Sequence, residues 1–423
     1  MKDASLWDWN PGEKEIVACD ACSGDCEWLE EPIASPDGEK VARVAKVRDD
    51  EEAIFTLAVN GELWESTFEK CWYPRFTPDG RLTALCSEMA EWTLVVDGEP
   101  WEEKYGFIWD TRFAADGDAI SVSVQQDMEY GYSINGEAWG DFFENTNHPV
   151  LSPDGTKVAS VVQTRNIPQA DIFTFKEGCF SVAVNGQPWD TTFVNCWDTA
   201  FDATGEHVAV TVRTSLYDYT IAVDGKAWSS RYQCMWEPRF NPKDGSVVAG
   251  ARQGGKWGML KDDAWIWKPT MFQCWKPAFS ADGANLWAVV CPDFGRWTAA
   301  VNGDVWGEKF KQVVSDMSVS PDGKRAAIIG KTDDQWGIIV DDTRWVGWFE
   351  MAYPAVFSPD SKHVGYAVER KGGQMTIILD GHAYHKDFDK VWSPVFSPDS
   401  QKVMIRCLDG GVYKRIVVPI SDF

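Results

Sequence analysis

The chain has 423 residues, of which 65 are acidic and 40 are basic, and its formal net charge is −25 at pH 7. This charge argues against nucleic acid and anionic lipid as partners, because both recruit basic patches, whereas it suits a basic protein surface. No apolar stretch approaches the roughly 18 residues of a membrane-spanning helix, and the start of the chain has no apolar signal core. We therefore expect a cytoplasmic protein with no direct membrane span.

The first 31 residues are predicted to form an N-terminal segment ahead of a repeated domain at residues 32–423. The segment has one strand-like run, from Lys14 to Cys19, followed by the cluster Cys19, Cys22 and Cys26. The C-x2-C-x3-C spacing is typical of a fragment of a metal or iron–sulfur site, but no fourth thiol lies nearby in the sequence. The cluster is thus a weak metal candidate, and a redox-active or partner-facing loop and a plain turn remain open.

A phrase resembling Ser-Pro-Asp-Gly recurs ten times with a period near 39 residues. Proline pre-sets φ and glycine accepts a positive φ, so the phrase predicts a turn between two short strands. The residues at the Asp position are Asp37, Asp79, Asp116, Asp154, Thr204, Asp244, Asp282, Asp322, Asp360 and Asp399.

A second turn signal follows in most copies, where Asn-Gly or Asp-Gly separates two strand-like runs. This dipeptide favours a type I′ hairpin, because both central residues of that turn need a positive φ. The pairs are Asn60-Gly61, Asp97-Gly98, Asn135-Gly136, Asn185-Gly186, Asp224-Gly225, Asn302-Gly303 and Asp380-Gly381.

Four short antiparallel strands in each copy predict one blade of a β-propeller. The last copy supplies three strands only, so the spare N-terminal strand is expected to complete the C-terminal blade and to remove two open sheet edges. The predicted fold is a single closed all-β propeller of about ten blades, with nine or eight also compatible. The Pro-Asp-Gly phrase resembles the WD40-like repeats of the TolB and prolyl-oligopeptidase propellers.

Most of the 24 tryptophans recur in register with the repeat, which predicts packing between neighbouring blades. The first aligned column holds Trp64, Trp101, Trp139, Trp189, Trp228, Trp265, Trp306 and Trp345, and the second holds Trp72, Trp109, Trp197, Trp236, Trp275 and Trp392. A third column holds Trp92, Trp257, Trp297 and Trp336 among other aromatics. The tryptophans outside the columns are predicted to contact something else: Trp7, Trp9, Trp28, Trp267, Trp287 and Trp348.

One repeat carries an insertion near residues 163–179. Insertions in repeat proteins form loops, often on a binding face. This insertion mixes apolar and charged residues, so Ile172, Phe173 and Phe175 are candidate partner contacts beside Trp7, Trp9 and Trp28. A plain long loop is the alternative.

The sequence contains no motif of a hydrolase, a nucleotide-binding loop or a metalloprotease. The anchor aspartates are expected to bond backbone groups within their turns, and His382 and His385 lack a third ligand. The remaining cysteines recur inside the repeat and are predicted to be buried, reduced thiols. We therefore predict no catalytic residue, no cofactor and no enzymatic activity.

A cytoplasmic, acidic, tryptophan-rich propeller of this size without cofactor motifs is similar to the tryptophan-rich subunit of the transmembrane Tmc redox complex of sulfate-reducing bacteria. The resemblance implies a cofactor-free docking subunit on the cytoplasmic face of the inner membrane. It also implies two partners, a membrane cytochrome b subunit and an iron–sulfur protein related to heterodisulfide reductase. The alternative is a free-standing protein that binds a small anion or sugar in an axial channel, where Arg75, Arg112 and Arg239 are expected. An enzyme with its site in that channel is a third class.

Overall fold

The computed structural model describes residues 4–24, 26–49, 52–167 and 171–423. Over those residues the regular secondary structure is almost entirely β-strand, and the strands form ten antiparallel sheets. Each sheet has four strand positions, and in blades 1, 9 and 10 the first position is interrupted and consists of two short strands. The predicted all-β propeller of ten blades is therefore confirmed.

The N-terminal half contributes a 3₁₀ turn, strand β1 and the first five blades. The turn is Ala4–Leu6 and β1 is Gly12–Ala18. Blade 1 contains β2 (Cys26–Leu29), β3 (Ile33–Ala34), β4 (Val41–Asp49), β5 (Glu52–Val59) and β6 (Glu62–Leu63). Blade 2 contains β7 (Lys70–Phe76), β8 (Leu82–Glu88), β9 (Glu91–Val96) and β10 (Glu99–Pro100). Blade 3 contains β11 (Phe107–Phe113), β12 (Ile120–Gln126), β13 (Glu129–Ile134) and β14 (Glu137–Ala138). Blade 4 contains β15 (Thr146–Leu151), β16 (Val158–Gln163), helix α1 (Ile172–Glu177), β17 (Phe180–Val184) and β18 (Gln187–Pro188). Blade 5 contains β19 (Asn195–Phe201), β20 (Val208–Arg213), β21 (Tyr219–Val223) and β22 (Lys226–Ala227).

The C-terminal half contributes the other five blades and a final 3₁₀ turn at Ile420–Asp422. Blade 6 contains β23 (Cys234–Phe240), β24 (Val247–Gln253), β25 (Lys256–Lys261) and β26 (Ala264–Met271). Blade 7 contains β27 (Gln273–Phe279), β28 (Leu286–Asp293), β29 (Arg296–Val301) and β30 (Asp304–Val305). Blade 8 contains β31 (Val313–Val319), β32 (Ala326–Thr332), β33 (Gln335–Val340) and β34 (Thr343–Arg344). Blade 9 contains β35 (Met351–Ala352), β36 (Val356–Phe357), β37 (Val364–Glu369), β38 (Met375–Leu379) and β39 (His382–Ala383). Blade 10 contains β40 (Lys390–Val391), β41 (Val395–Phe396), β42 (Lys402–Asp409) and β43 (Val412–Pro419), together with β1.

The chain divides into two compact units. Unit 1 comprises Met1–Asp127, Asn135–Glu137 and Phe349–Phe423, and it contains blades 1, 2, 9 and 10 with β11 and β12 of blade 3. Unit 2 comprises Met128–Ile134 and Ala138–Trp348, and it contains β13 and blades 4 to 8.

The hairpin turns form for the predicted reason. Asn60 and Gly61 have φ values of 50° and 85°, and the Asn60 side-chain oxygen accepts a hydrogen bond from Val41 N at 2.9 Å. Two of the hairpins between the third and fourth strands of a blade lack the Asn-Gly or Asp-Gly signal and use consecutive aspartates, Asp262-Asp263 and Asp341-Asp342, all with positive φ. Aspartate tolerates the left-handed region, so these turns keep the same geometry without glycine.

The Pro-Asp-Gly turns hold their aspartates in internal hydrogen bonds. Ser152 Oγ donates to Asp154 Oδ1 at 2.5 Å, and Thr156 N donates to the same oxygen at 3.1 Å. The bond from Ser152 and those from Thr156 lower the pKa of Asp154 to about 2. The expected structural role of the anchor aspartate is confirmed at this turn.

Strand β1 completes blade 10, as predicted from the three-strand last copy. It pairs antiparallel with β43, with Glu13 opposite Ile416 and Glu15 opposite Lys414. Lys414 Nζ lies 2.7 Å from Glu13, 3.2 Å from Glu15 and 3.0 Å from Asp409. Backbone pairing and three carboxylates around one ammonium therefore fix the N-terminal strand in place.

The hydrophobic cores lie between consecutive blades. In unit 2, Trp257 of blade 6 shares a core with Leu286 and Val290 of blade 7. In unit 1, Leu57 of blade 1 shares a core with Leu82 of blade 2. Equivalent cores join blades 3 and 4, 4 and 5, 5 and 6, 7 and 8, and 9 and 10.

The first tryptophan column packs onto the hairpin glycine of the next blade. A Cβ added at Gly98 would lie 3.5 Å from the Trp64 ring, and one at Gly186 would lie 3.3 Å from the Trp139 side chain. Glycine therefore serves both the left-handed turn and the close approach of the indole. These contacts bear out the prediction that column residues pack between blades.

Two predictions about individual tryptophans were wrong. Trp267 and Trp287 were expected to face other molecules, yet they are only 6% and 3% exposed. Trp267 packs against Gly303 of blade 7, the position that Trp265 was assigned by alignment. The cause is a register irregularity between β25 and β26, which places Trp265 opposite Leu260 and Trp267 opposite Met259.

Candidate functional site

Five aromatic side chains lie side by side on blades 2 and 3 of unit 1, and we call them the aromatic patch: Trp72, Tyr73, Trp92, Phe107 and Trp109. The Phe107 ring stacks on Trp72 at 6.2 Å and on Trp109 at 5.9 Å, and it meets the edge of Trp92 at 5.3 Å. Trp72, Tyr73 and Phe107 are 39%, 41% and 39% exposed. The patch is therefore a contiguous apolar surface of the kind that marks binding sites.

A β-bulge explains why two adjacent residues of one strand both reach the surface. In a regular strand successive side chains alternate between faces. The pairing of β7 with β8 shifts between Trp72 and Arg75, and Tyr73 has a φ of 53°. Such a bulge re-aims the side chains around it. The sequence assigned Trp72 to packing between blades, and its ring does stack on Phe107 of blade 3, although 39% of the side chain stays exposed.

A cavity of about 350 Å³ lies in unit 1 beside the first strands of blades 10, 1 and 2. Its walls are mostly apolar, and they include two indole rings and two guanidinium groups. The lining residues include Trp7, Trp392, Arg75 and Arg406.

Neither arginine of the cavity has a carboxylate within ion-pair distance among the described residues. Arg75 Nη1 donates to Thr111 O, and the guanidinium lies 4.8 Å from the centre of the Phe113 ring. Arg406 donates to Ser35 O and Ser393 O, both at 2.9 Å. Its Nε is inaccessible to solvent and lacks a hydrogen-bond partner within the described part of the chain. Burial lowers the pKa of Arg406, because the charged form is poorly solvated there.

The other two predicted channel arginines are engaged locally. Arg112 forms an ion pair with Asp110 at 2.8 Å. Arg239 Nη1 donates to Pro238 O at 2.9 Å. Only Arg75 of the three lines the cavity. Sequence reasoning missed Arg406 and Trp392, because they come from the opposite end of the chain.

The cysteine cluster contains a disulfide, a pairing that the sequence analysis did not predict. Cys22 and Cys26 form a disulfide with their Cα atoms 6.3 Å apart, and nine cysteines are free. A tight turn at Gly24 brings the pair together, since Cys26 N donates to Gly24 O at 3.0 Å. Cys19 is free and half-buried, and burial raises its pKa. The disulfide uses two of the three thiols of the weak metal candidate.

The predicted partner-contact residues lie in three settings. Trp28 is half exposed beside the cysteine turn. Trp7 lines the cavity and stacks on Trp9 at 6.2 Å. The insertion forms α1, whose N-cap is Asp171. Ile172 and Phe173 are exposed on this helix, whereas the Phe175 ring lies 5.6 Å from the Arg213 guanidinium. The insertion also includes residues 168–170, which lie outside the described residues.

The described residues contain no cluster of three or more His, Cys, Asp or Glu that could hold a metal ion. His382 is exposed in β39, and the His385 ring packs against Tyr384 at 4.2 Å. No helix within the described ranges is long and apolar enough to cross a bilayer.

Ten four-stranded antiparallel sheets place the chain in the class of β-propeller proteins. No family model and no curated protein matches the sequence. Among solved structures it is similar to a eukaryotic initiation factor, with 12% identity, a TM-score of 0.47 and coverage of 78% of this chain and 91% of that one. It is also similar to the β-propeller domain of the Trilobed protease from Pyrococcus furiosus, with 14% identity, a TM-score of 0.31 and coverage of 68% and 99%. A third similar structure is prolyl oligopeptidase B from Galerina marginata, with 8% identity, a TM-score of 0.37 and coverage of 71% and 55%. All three TM-scores are below one half, so these likenesses carry no argument about function.

Proposed function

We propose that this chain is a non-catalytic docking subunit that binds a partner protein through the aromatic patch. The observation that supports the proposal is the contiguous arrangement of Trp72, Tyr73 and Phe107 at the surface, with Phe107 stacked on Trp72. Tryptophan and tyrosine dominate the energetics of protein interfaces, because rigid rings bury much area at a small entropic cost. The net charge of −25 suits a partner with a basic rim around its apolar contact.

The partner follows from the resemblance to the tryptophan-rich subunit of the Tmc redox complex. On that basis the chain is a cofactor-free subunit on the cytoplasmic side of a membrane-bound electron-transfer complex. The heterodisulfide-reductase-like iron–sulfur protein and the membrane cytochrome b are its partners, and they hold the chain at the inner membrane. Trp28, Ile172 and Phe173 are further candidate contacts, since all three are exposed.

The test is purification of the native protein from membranes in mild detergent, followed by identification of the subunits and haem that accompany it. We expect both partners to co-purify with the wild-type chain and with Tyr217→Ser, because Tyr217 is an aromatic residue with 81% exposure that lies outside the patch and is not a candidate contact. The double variant Trp72→Ser/Phe107→Ser is expected to lose at least about tenfold in yield of the complex.

A folded double variant that retains both partners would show that the patch is not the docking surface. A wild-type chain recovered as a lone monomer would contradict the docking function itself. Circular dichroism of each variant confirms that it is folded before the comparison is made.

The alternative function, binding of a small anion or sugar, was expected to use three arginines. Arg112 pairs with Asp110, and neither Arg112 nor Arg239 lines the cavity. Arg75 lines an apolar cavity, and this observation favours a ligand site of a more specific kind.

A further inference from the structure

The cavity in unit 1 is open to solvent and has two features that are typical of ligand sites. Its volume of about 350 Å³ lies within the range of small-molecule pockets, and its walls are mainly apolar with a few polar groups. The two charged groups in the wall come from Arg75 of blade 2 and Arg406 of blade 10, which are far apart in sequence.

The second feature is positive charge with no carboxylate of the described residues in direct contact. Within the described ranges both guanidinium groups donate only to backbone carbonyls, and neither has a carboxylate within ion-pair distance. Neighbouring Arg415 provides the contrast, because its guanidinium lies 3.3 Å from Glu39. A guanidinium taken out of water without an anion is costly, and a bound carboxylate would compensate it. The chain has 65 acidic residues, yet no described carboxylate lies within ion-pair distance of either arginine in this wall.

Contacts within the protein fix the position of the Arg75 guanidinium. One of its nitrogens donates to Thr111 O, and its guanidinium lies over the rings of Phe113 and Tyr73 at 4.8 and 5.5 Å. Nε and Nη2 of Arg75 have no hydrogen-bond partner in the part of the chain that the structure describes. Stacking fixes the plane of a guanidinium, so less entropy is lost when it binds a carboxylate.

The two indole rings in the wall indicate the chemistry of the part of the ligand that does not contact the arginines. Trp7 is supported by stacking on Trp9, whose Nε1 donates to Ala4 O at 2.8 Å. Trp392 faces the cavity from blade 10 and packs edge-on against Tyr413 at 5.7 Å. Indole rings that line a cavity favour a ligand whose body is flat and apolar.

We infer that this cavity binds a small organic carboxylate with a flat, apolar body. Arg75 binds the carboxylate and Arg406 contributes its charge, while Trp7 and Trp392 contact the body. The net charge of −25 repels anions at long range, so the affinity must come from these local contacts. The inference does not depend on the docking function.

Isothermal titration calorimetry of the isolated chain with indole-3-acetate and benzoate tests the site, with indole-3-acetamide as the neutral analogue. We expect saturable binding of the two carboxylates and at least about tenfold weaker binding of the amide, because only the carboxylate forms charge-assisted hydrogen bonds. Arg75→Gln and Trp7→Ala should each weaken indole-3-acetate binding by about tenfold. Arg112→Gln is the matched control, since Arg112 pairs with Asp110, and it should leave the dissociation constant within about twofold.

Three results would overturn the inference. The first is the absence of heat, and of any shift in melting temperature, with both carboxylates at about 5 mM. The second is equal affinity for the acid and the amide. The third is unchanged binding in a folded Arg75→Gln variant. Each of these results concerns the isolated chain and leaves the docking proposal untouched.

Discussion

Tryptophans that look alike in the sequence occupy very different environments. Trp267, predicted to be available for contacts, is buried between blades 6 and 7 against Gly303. Trp72, predicted to pack between blades, is 39% exposed in the aromatic patch. Alignment of repeats gives the average role of a column, whereas a shifted strand register or a bulge decides the role of one residue.

Replacing Trp267 with alanine tests its role in packing. We expect Trp267→Ala to lower the free energy of unfolding by about 3–5 kcal/mol, because it removes a large buried ring and leaves a cavity between two blades. Trp28→Ala is the comparison, and half of the Trp28 side chain is already exposed, so a change within about 1 kcal/mol is expected. Equilibrium unfolding in guanidinium chloride measures both values. Equal, small losses in the two variants would contradict the assigned role of Trp267.

At the scale of elements, the repeated blade was predictable and its exceptions were not. The turn residues predict seven hairpins, but Asp262-Asp263 and Asp341-Asp342 form the same turn without the dipeptide signal. The missing fourth strand of the last copy correctly predicts that an N-terminal strand fills it. The cavity could not be predicted, because Trp7, Arg75 and Arg406 meet only after this N-terminal strand has joined the C-terminal blade.

Truncation separates the closing strand from the residues that precede it. Removal of residues 1–18 takes away β1, leaves one edge of β43 unpaired and removes Glu13 and Glu15 from Lys414. We expect a lower melting temperature and self-association through the exposed strand edge. Removal of residues 1–11 deletes Trp7 and Trp9 but keeps β1, and this shorter truncation should stay monomeric. Thermal denaturation and light scattering check both outcomes, and an 18-residue truncation as stable and monomeric as the full chain would contradict the closing role of β1.

At the scale of the whole molecule, repetition multiplies small electrostatic effects. The same serine-to-aspartate hydrogen bond is the largest cause of a lowered carboxyl pKa in four separate turns. These aspartates are Asp154, Asp282, Asp360 and Asp399. A lowered carboxyl pKa in one blade therefore has a small effect, but four such groups together affect the stability of the whole chain.

This repetition predicts how stability depends on acid. A carboxyl whose pKa is lower in the folded state contributes stability above its unfolded pKa of about 3.9 and loses it as the pH falls through the folded pKa. With a folded pKa of about 2 at Asp154, the loss is expected between about pH 4 and pH 2.

The variant carrying Asp154→Asn, Asp282→Asn, Asp360→Asn and Asp399→Asn keeps an acceptor oxygen in each turn but cannot be protonated there. Its free energy of unfolding should therefore fall less steeply with acid than that of the wild type. Urea unfolding at about pH 5, 4, 3 and 2 measures the slope, and Asp190→Asn, at an exposed position outside the turns, is the control. Parallel slopes for the wild type and the fourfold variant would show that the turn aspartates do not govern acid stability, because removing four groups with lowered pKa values must otherwise flatten the dependence.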